Sequence, residues 1–183
     1  LQATARVPEN MGASDVTLTA YSLYVLAKAG RADLGTMDAL RDRLTPQSPQ
    51  EARALLGAAY GAAGNRPAMD AQFAGLKEIP DSPRDTSGIL GSPIRNRAIV
   101  LMALAEFAPE DPRIPALAGR LSRDAQTWHW WNTHESAWAF LALGRIARRQ
   151  ESLGAYAGTV FAGMRELGSF RNADKSFPQL PSA

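Results

Sequence analysis

The chain has 183 residues, 45% of them hydrophobic and 21% charged, with a formal net charge of +2; this suits one ordinary domain, or one with an appendage, and excludes a wholly disordered or fibrous chain. Its longest apolar run, Ala98 to Ala105, is bracketed by Arg97 and Glu106, far short of the ~20 residues of a membrane span, and its arginines are scattered and form no stripe, so neither membrane insertion by this segment nor nucleic-acid binding is expected. Cysteine is absent, which removes disulfides, thiolate metal sites, a cysteine nucleophile and a cysteine-derived thioester from this stretch of sequence.

In chain order, residues 1–14 form a loose lead-in with Pro8 and Gly12. A first helix is expected from Asp15 to Ala29, capped by Ser14 or Asp15 and ended by Gly30. Leu18, Tyr21, Val25 and Ala29 share one face of it, and Leu23, Leu26 and Ala27 widen the apolar stripe. A short second helix follows Thr36 and ends near Leu44, before Pro46. Ser48-Pro49-Gln50-Glu51 has the pattern of a capping box, Ser48 and Glu51 each bonding the other's backbone N–H, with Pro49 in the first turn. The third helix then runs through Leu55, Leu56, Ala59 and Tyr60 to Gly64-Asn65. Pro67 opens a fourth, with Met69, Phe73 and Leu76 on its face and Pro80 at its end.

Residues 81–92 are rich in Asp, Ser, Pro and Gly and are expected to form a long loop. Arg84 and Asp85 could contact another domain from it, although a solvated connection is the simpler expectation. Ser92-Pro93 starts a fifth helix ending near Ala108-Pro109. It is apolar nearly all round between Ile99 and Leu104, the pattern of a buried inner helix. Arg95 and Arg97 oppose the dipole at its start, so a carboxylate or carbonyl should satisfy one of them. A sixth helix lies near Ile114–Arg123. Asn132-Thr133-His134-Glu135 starts a seventh, with Asn132 as cap and Glu135 at the third position. It carries Trp138, Leu141 and Ile146, with Arg145, Arg148 and Arg149 in its last turns. After about Gln150 the pattern alternates. Ala155–Ala162 and Leu167–Phe170 are expected to be strands about a turn at Gly163, and residues 171–183 an edge-like or poorly ordered tail.

Ala-rich segments recur around residues 19–30, 50–64, 94–108 and 134–149, at intervals of roughly 30–45 residues, within the range of helical-hairpin arrays. The spacing is too irregular for a strict tetratricopeptide array. A mainly helical, layered arrangement of helix pairs is expected, forming part of an α/α toroid. The chain starts without Met and is expected to be a piece of something longer.

Three segments resemble the bacterial alpha-2-macroglobulin-like family. They are Thr19 to Gly30 (TAYSLYVLAKAG), Gly91 to Ala98 (GSPIRNRA) and, most specific, Trp131 to Leu143 (WNTHESAWAFLAL). The last is similar to the family's pattern Ser-Thr-Gln-Glu-Asn-Ala-Trp-Ala-Leu-Leu-Ala-Leu. Asn132, His134 and Ser136 depart from it, but the helix start survives, so the motif serves architecture and no chemistry. Order and separation of the three segments resemble the later half of the family's thioester domain, an α/α toroid, over about residues 15–165. The resemblance implies that residues 1–150 are part of that toroid and 151–183 the start of the β-domain that follows.

The family's thioester joins Cys and Gln side chains of a Cys-x-Glu-Gln segment near the start of the toroid. No such segment occurs here, so no catalytic, cofactor-binding or metal-binding residue is assigned. Either the chain begins downstream of the motif or the parent has no thioester. The resemblance implies a periplasmic or envelope-attached protein of bacterial defence, an endopeptidase inhibitor that traps target proteases after they cut a bait segment. This chain would supply packing and docking to neighbouring domains of the same polypeptide, would not be an enzyme, and could lie near cell-wall synthesis machinery.

Two other classes remain in view: a tetratricopeptide-like binding module with a continuous concave groove, and a toroidal glycan-active enzyme. His129, His134 and Glu135 match no standard metal spacing, and a Ser–His–Asp triad lacks the Gly-x-Ser-x-Gly elbow. Trp128, Trp130, Trp131 and Trp138 could line a sugar site if two carboxylates among Asp81, Asp85, Glu106, Glu110 and Asp111 stood about 5–10 Å apart. The simpler expectation is that Trp131 and Trp138 pack between helix layers while Trp128 or Trp130 faces a neighbouring domain. A toroid fragment predicts no such acid pair and a raw apolar edge.

Overall fold

A computed structural model describes residues 11–84, 91–127, 131–152, 157–162 and 165–171. Among them run helices α1 (Ala13–Lys28), α2 (Leu34–Arg41), α3 (Gln50–Ala62), α4 (Arg66–Ala74), α5 (Pro93–Phe107), α6 (Ile114–Thr127) and α7 (Thr133–Ser152), then strands β1 (Ala157–Ala162) and β2 (Arg165–Arg171). The mainly helical fold with a short β segment is the one expected. The start of the lead-in, residues 85–90 of the long loop, the turn at Gly163 and the tail past residue 171 lie outside the described residues.

Local chemistry accounts for most helix starts. Asp33 caps α2, accepting from the Thr36 N–H at 3.0 Å and the Thr36 hydroxyl at 2.6 Å. Asn65 accepts from Ala68 N–H at 3.2 Å to cap α4, and Ser92 accepts from Arg95 N–H at 3.1 Å to cap α5, with Pro93 in the first turn. Such caps satisfy N–H groups that have no partner inside the helix. α1 starts earlier than expected: Gly12 is its cap residue, and Asp15 reaches back to accept from the Gly12 N–H at 3.0 Å.

The capping box expected at Ser48 does not form. Pro49 occupies the cap position of α3, and the Ser48 hydroxyl is drawn back into the preceding turn, accepting from Thr45 N–H at 2.9 Å. Glu51 is instead buried. α4 also stops short of expectation, at Ala74. Gly75 follows as its C-cap, and Leu76 to Pro80 runs on without helix.

The helices form two layers of pairs. α3 packs against α1 on one side and α5 on the other, so α1, α3 and α5 make a row. α2, α4 and α6 pack on α1, α3 and α5 respectively. The core lies along the row, where Leu23, Leu55, Leu56, Tyr60, Ile99 and Leu101 are inaccessible to solvent. α5 is buried continuously from Arg97 to Leu104, as its all-round apolar pattern predicts. α1 departs from its predicted face. Leu18 and Tyr21 are exposed, while Ala20, Leu23, Tyr24 and Ala27 point inward together with Thr17, Thr19 and Ser22. The helix is apolar over most of its circumference, so periodicity cannot single out the core side.

α3 comes close to α4 and α5 because it presents glycines to them. A Cβ at Gly57 would stand 2.5 Å from the Phe73 ring, and one at Gly61 2.6 Å from Phe107 and 2.9 Å from the Met69 sulfur. Gly144 in α7 has nothing within 4 Å of its Cβ position. Gly57→Ala should therefore lower the Tm: overpacking by about 1–3 kcal/mol outweighs a helix-propensity gain of about 1 kcal/mol. Gly144→Ala, with the gain and no clash, should raise it. Thermal unfolding followed by circular dichroism reads both signs.

By contact clustering the chain divides into two compact units, Leu1–Arg145 and Ile146–Ala183. In the second, β1 and β2 pair antiparallel from Ala157↔Arg171 to Ala162↔Arg165, with an irregularity between Val160 and Phe161. The Thr159 and Ser169 hydroxyls lie 3.3 Å apart across the pair. β2 begins earlier than the expected return strand, at Arg165.

Candidate functional site

The beginnings of α5 and α7 meet around one carboxylate. Asn132 caps α7, accepting from Glu135 N–H at 2.8 Å, while the Glu135 carboxylate accepts from Asn132 N–H at 3.0 Å. This is the box expected from the sequence. Glu135 is fully buried, and Arg84 grips it with a two-pronged bond, Nε to Oε1 at 2.8 Å and Nη2 to Oε2 at 2.7 Å. Ser92, the cap of α5, also hydrogen-bonds it. Burial alone would raise the Glu135 pKa, but Arg84, Ser92 and the Asn132 amide outweigh it and hold the carboxyl below its ordinary value. With its lone pairs so occupied the group is an anchor and not a general base. Arg84, expected either to be solvated or to face another domain, is thus used inside the fold; Asp85 lies outside the described residues.

Beside this anchor a cleft of about 260 Å³ is lined by Asp81, Ser82, Arg84, Arg97, Arg120 and Asp124, among others. Arg97 donates to Asp81 at 2.5 Å, Asp124 at 3.4 Å and the Ile79 carbonyl at 3.0 Å. Arg120 meets the same two acids, at 2.8 and 3.2 Å. Hydrogen bonds from Arg97 and then Arg120 hold the Asp81 carboxyl below its usual range. The cation that the sequence places against the dipole of α5 is thereby satisfied by carboxylates and a carbonyl, as expected.

A second cluster joins the buried Glu51 and Arg95 with the half-buried His134. Burial raises the Glu51 pKa against the opposing pull of Arg95 and of a Thr17 hydrogen bond, and burial lowers that of Arg95. His134 is held below its usual value by burial and then by the Arg95 charge. Its Nε2 accepts from the Trp138 indole N–H at 3.2 Å, which leaves the proton on Nδ1 of a neutral ring. An acceptor nitrogen engaged in this way suits neither a metal ligand nor a triad base. No group of three His, Asp or Glu placed to hold a metal occurs among the described residues, and His129 lies outside them.

The acids considered for glycan chemistry are dispersed. Asp81 bonds Arg97 near the start of α5, whereas Glu106 stands in its last turn, about 13 Å further along the axis. There Glu106 accepts from Tyr24 at 3.0 Å, Lys28 at 2.6 Å and Arg145 at 2.9 Å. Burial and the Glu106 charge push the Tyr24 pKa up to about 12. Asp111 is taken up by Arg113 at 2.6 Å. Trp138 meets Tyr21 edge-on, ring centres 5.8 Å apart, and Trp131 is partly buried. Trp128 and Trp130 lie outside the described residues. Large apolar side chains are exposed at Leu18 and Tyr21 on α1, Leu34 on α2, and Phe140 and Leu141 on α7.

Arg120 and Asp124 went unnoticed in the sequence, although their i, i+4 spacing on one helix face was a usable sign. The grip of Arg84 on Glu135, across 51 positions, left no local mark.

No family model matches the chain. The chain is similar to the alpha-2-macroglobulin of Xylella fastidiosa (strain Temecula1), 29% identical over 167 residues that make up 86% of this chain and 10% of that protein. In fold it is similar to Salmonella alpha-2-macroglobulin reacted with methylamine, with TM-score 0.66 and 26% identity over 91% of this chain and 10% of the other. It is likewise similar to Escherichia coli alpha-2-macroglobulin activated by porcine elastase, with TM-score 0.62 and 26% identity over 86% and 14% of the two chains. The chain thus spans about a tenth of the curated relative it matches. The resemblance to bacterial alpha-2-macroglobulins holds in sequence and in fold.

Proposed function

We propose that this chain is the later part of the helical toroid of a bacterial alpha-2-macroglobulin-like protease trap, and that it packs and docks without catalysing a reaction. The observation that carries this is the joint likeness, in sequence and in layered helix pairs, to a family whose Escherichia coli member is activated by elastase. Residues 1–150 would belong to the toroid and residues 151–183 would open the β-domain that follows it; the β1–β2 hairpin supports that division. Asp81, Glu106, Asp111 and Glu135 support a structural role, being spent on arginines, a lysine and a helix start. The exposed apolar side chains on α1 and α7 support docking to other parts of the parent. With no cysteine here, any thioester cysteine of the parent lies in another part of it. A periplasmic or envelope location accompanies this reading, and no described helix is long and apolar enough to cross a membrane.

The test is an equimolar incubation of the chain with elastase and with trypsin. Proteolysis of a macromolecular substrate should be unchanged, with no covalent adduct on a denaturing gel. Stoichiometric inhibition by this chain alone would overturn the scaffold role.

A further inference from the structure

A second cleft, of about 350 Å³, runs between α6 and the stretch that follows α4. That is a volume in the range of binding sites. Its floor is apolar: Ile79, Val100 and Leu117. Its rim is basic, with Lys77, Arg113, Arg120 and Arg123 set against one acid, Glu78, while Arg97 lies buried beneath them.

Three of the arginines, Arg97, Arg113 and Arg120, are held by carboxylates that lie outside the cleft. Asp81 and Asp124, which bond Arg97 and Arg120, line the neighbouring cleft and not this one. Arg113 is fixed by Asp111 and by the carbonyls of Phe73 and Leu76, at 3.0 and 3.5 Å. Guanidiniums immobilised in this way lose little entropy on meeting an anion. Each has five N–H donors, and the Nη1 group of Arg120 makes none of its bonds to Asp81 or Asp124.

From Arg113 to Arg123 the cations follow α6 for about 15 Å. A single-headed acid presents charge at one point, whereas about five residues of extended peptide cover that length. We propose that this cleft binds an extended acidic peptide segment, with one bulky apolar side chain on the Ile79–Val100–Leu117 floor and carboxylates on either side of it along the arginine rim. The proposal concerns a surface that the toroid reading leaves unassigned, and its outcome does not bear on that reading.

The experiment titrates the full chain into Glu-Asp-Phe-Asp-Glu-amide labelled with fluorescein on its N-terminal amine and follows anisotropy. Saturable binding is expected, weakening as salt is raised. Ala116→Glu and Lys77→Glu, both at exposed positions, place a like charge beside the ligand and should each weaken binding about tenfold. Arg31→Glu, on the turn after α1, removes the same charge elsewhere and should leave binding unchanged. Absence of saturable binding overturns the proposal, as does equal binding of a Lys/Arg counterpart or indifference to Ala116→Glu and Lys77→Glu. Octanoate displacing the peptide at equal concentration would overturn it in favour of a single-headed acid.

Discussion

Glu135→Ala is expected to destabilise the chain by about 3–5 kcal/mol, the range for breaking a buried ion pair from one side. The carboxylate is fully buried and serves Arg84, Ser92 and the Asn132 amide together. Its removal takes away one half of the capping box of α7, deprives Arg84 of its two-pronged acceptor and loosens the link from residue 84 to the start of α5. Glu135→Gln keeps the volume but turns an amide nitrogen toward a donor, so it should recover only part of the loss. Urea unfolding should show a lower midpoint at similar slope. The pH dependence has a definite sign. Because the folded-state pKa lies below the ordinary carboxylate value, the contribution is complete above that value and disappears as pH falls through the folded one. The gap between wild type and Glu135→Ala should therefore be widest near neutrality and narrow below about pH 4.

Tyr60→Ala should be comparably severe, at about 3–5 kcal/mol, or a fall in Tm of roughly 6–20 °C. Tyr60 is inaccessible to solvent in the middle of the α3 hub, and its hydroxyl donates to Asp38 Oδ1 at 2.6 Å, tying α2 to α3. Tyr60→Phe separates the two contributions. It keeps the ring and loses the hydrogen bond, for about 1 kcal/mol. If Tyr60→Phe proved as damaging as Tyr60→Ala, packing would not be the dominant role of this side chain.

What the sequence disclosed was local. The box of Asn132 and Glu135, the caps at Ser92 and Asn132, and the continuous burial of α5 depend on groups within one or two turns of each other, so composition and spacing reveal them. Ser48 failed for an equally local reason: its hydroxyl had a choice of turns, and Thr45 claimed it. α1 failed because a helix apolar on most sides does not say which side is core. The candidate site was legible only by half. Glu135 announced itself as a helix start, but its burial depends on Arg84, 51 positions away, and the meeting of Asp81 with Arg97 and Arg120 depends on how three separate elements pack. The resemblance to alpha-2-macroglobulins rested mainly on the Trp131–Leu143 segment, where the same capped start leads into an alanine- and leucine-rich helix.

The position of Glu106 sets an order on assembly. Pairs such as α3 with α4 and α5 with α6 join neighbours in the chain and can form early, since short loops are cheap to close. Glu106 instead gathers Tyr24, Lys28 and Arg145 from stretches up to 82 residues away. Its three partners cannot all be present until α7 has been synthesised, so that end of the helical body matures last. A nascent chain halted before α7 would hold Glu106 against Lys28 without Arg145, and Tyr21 without the Trp138 ring, a less complete state suited to chaperone capture.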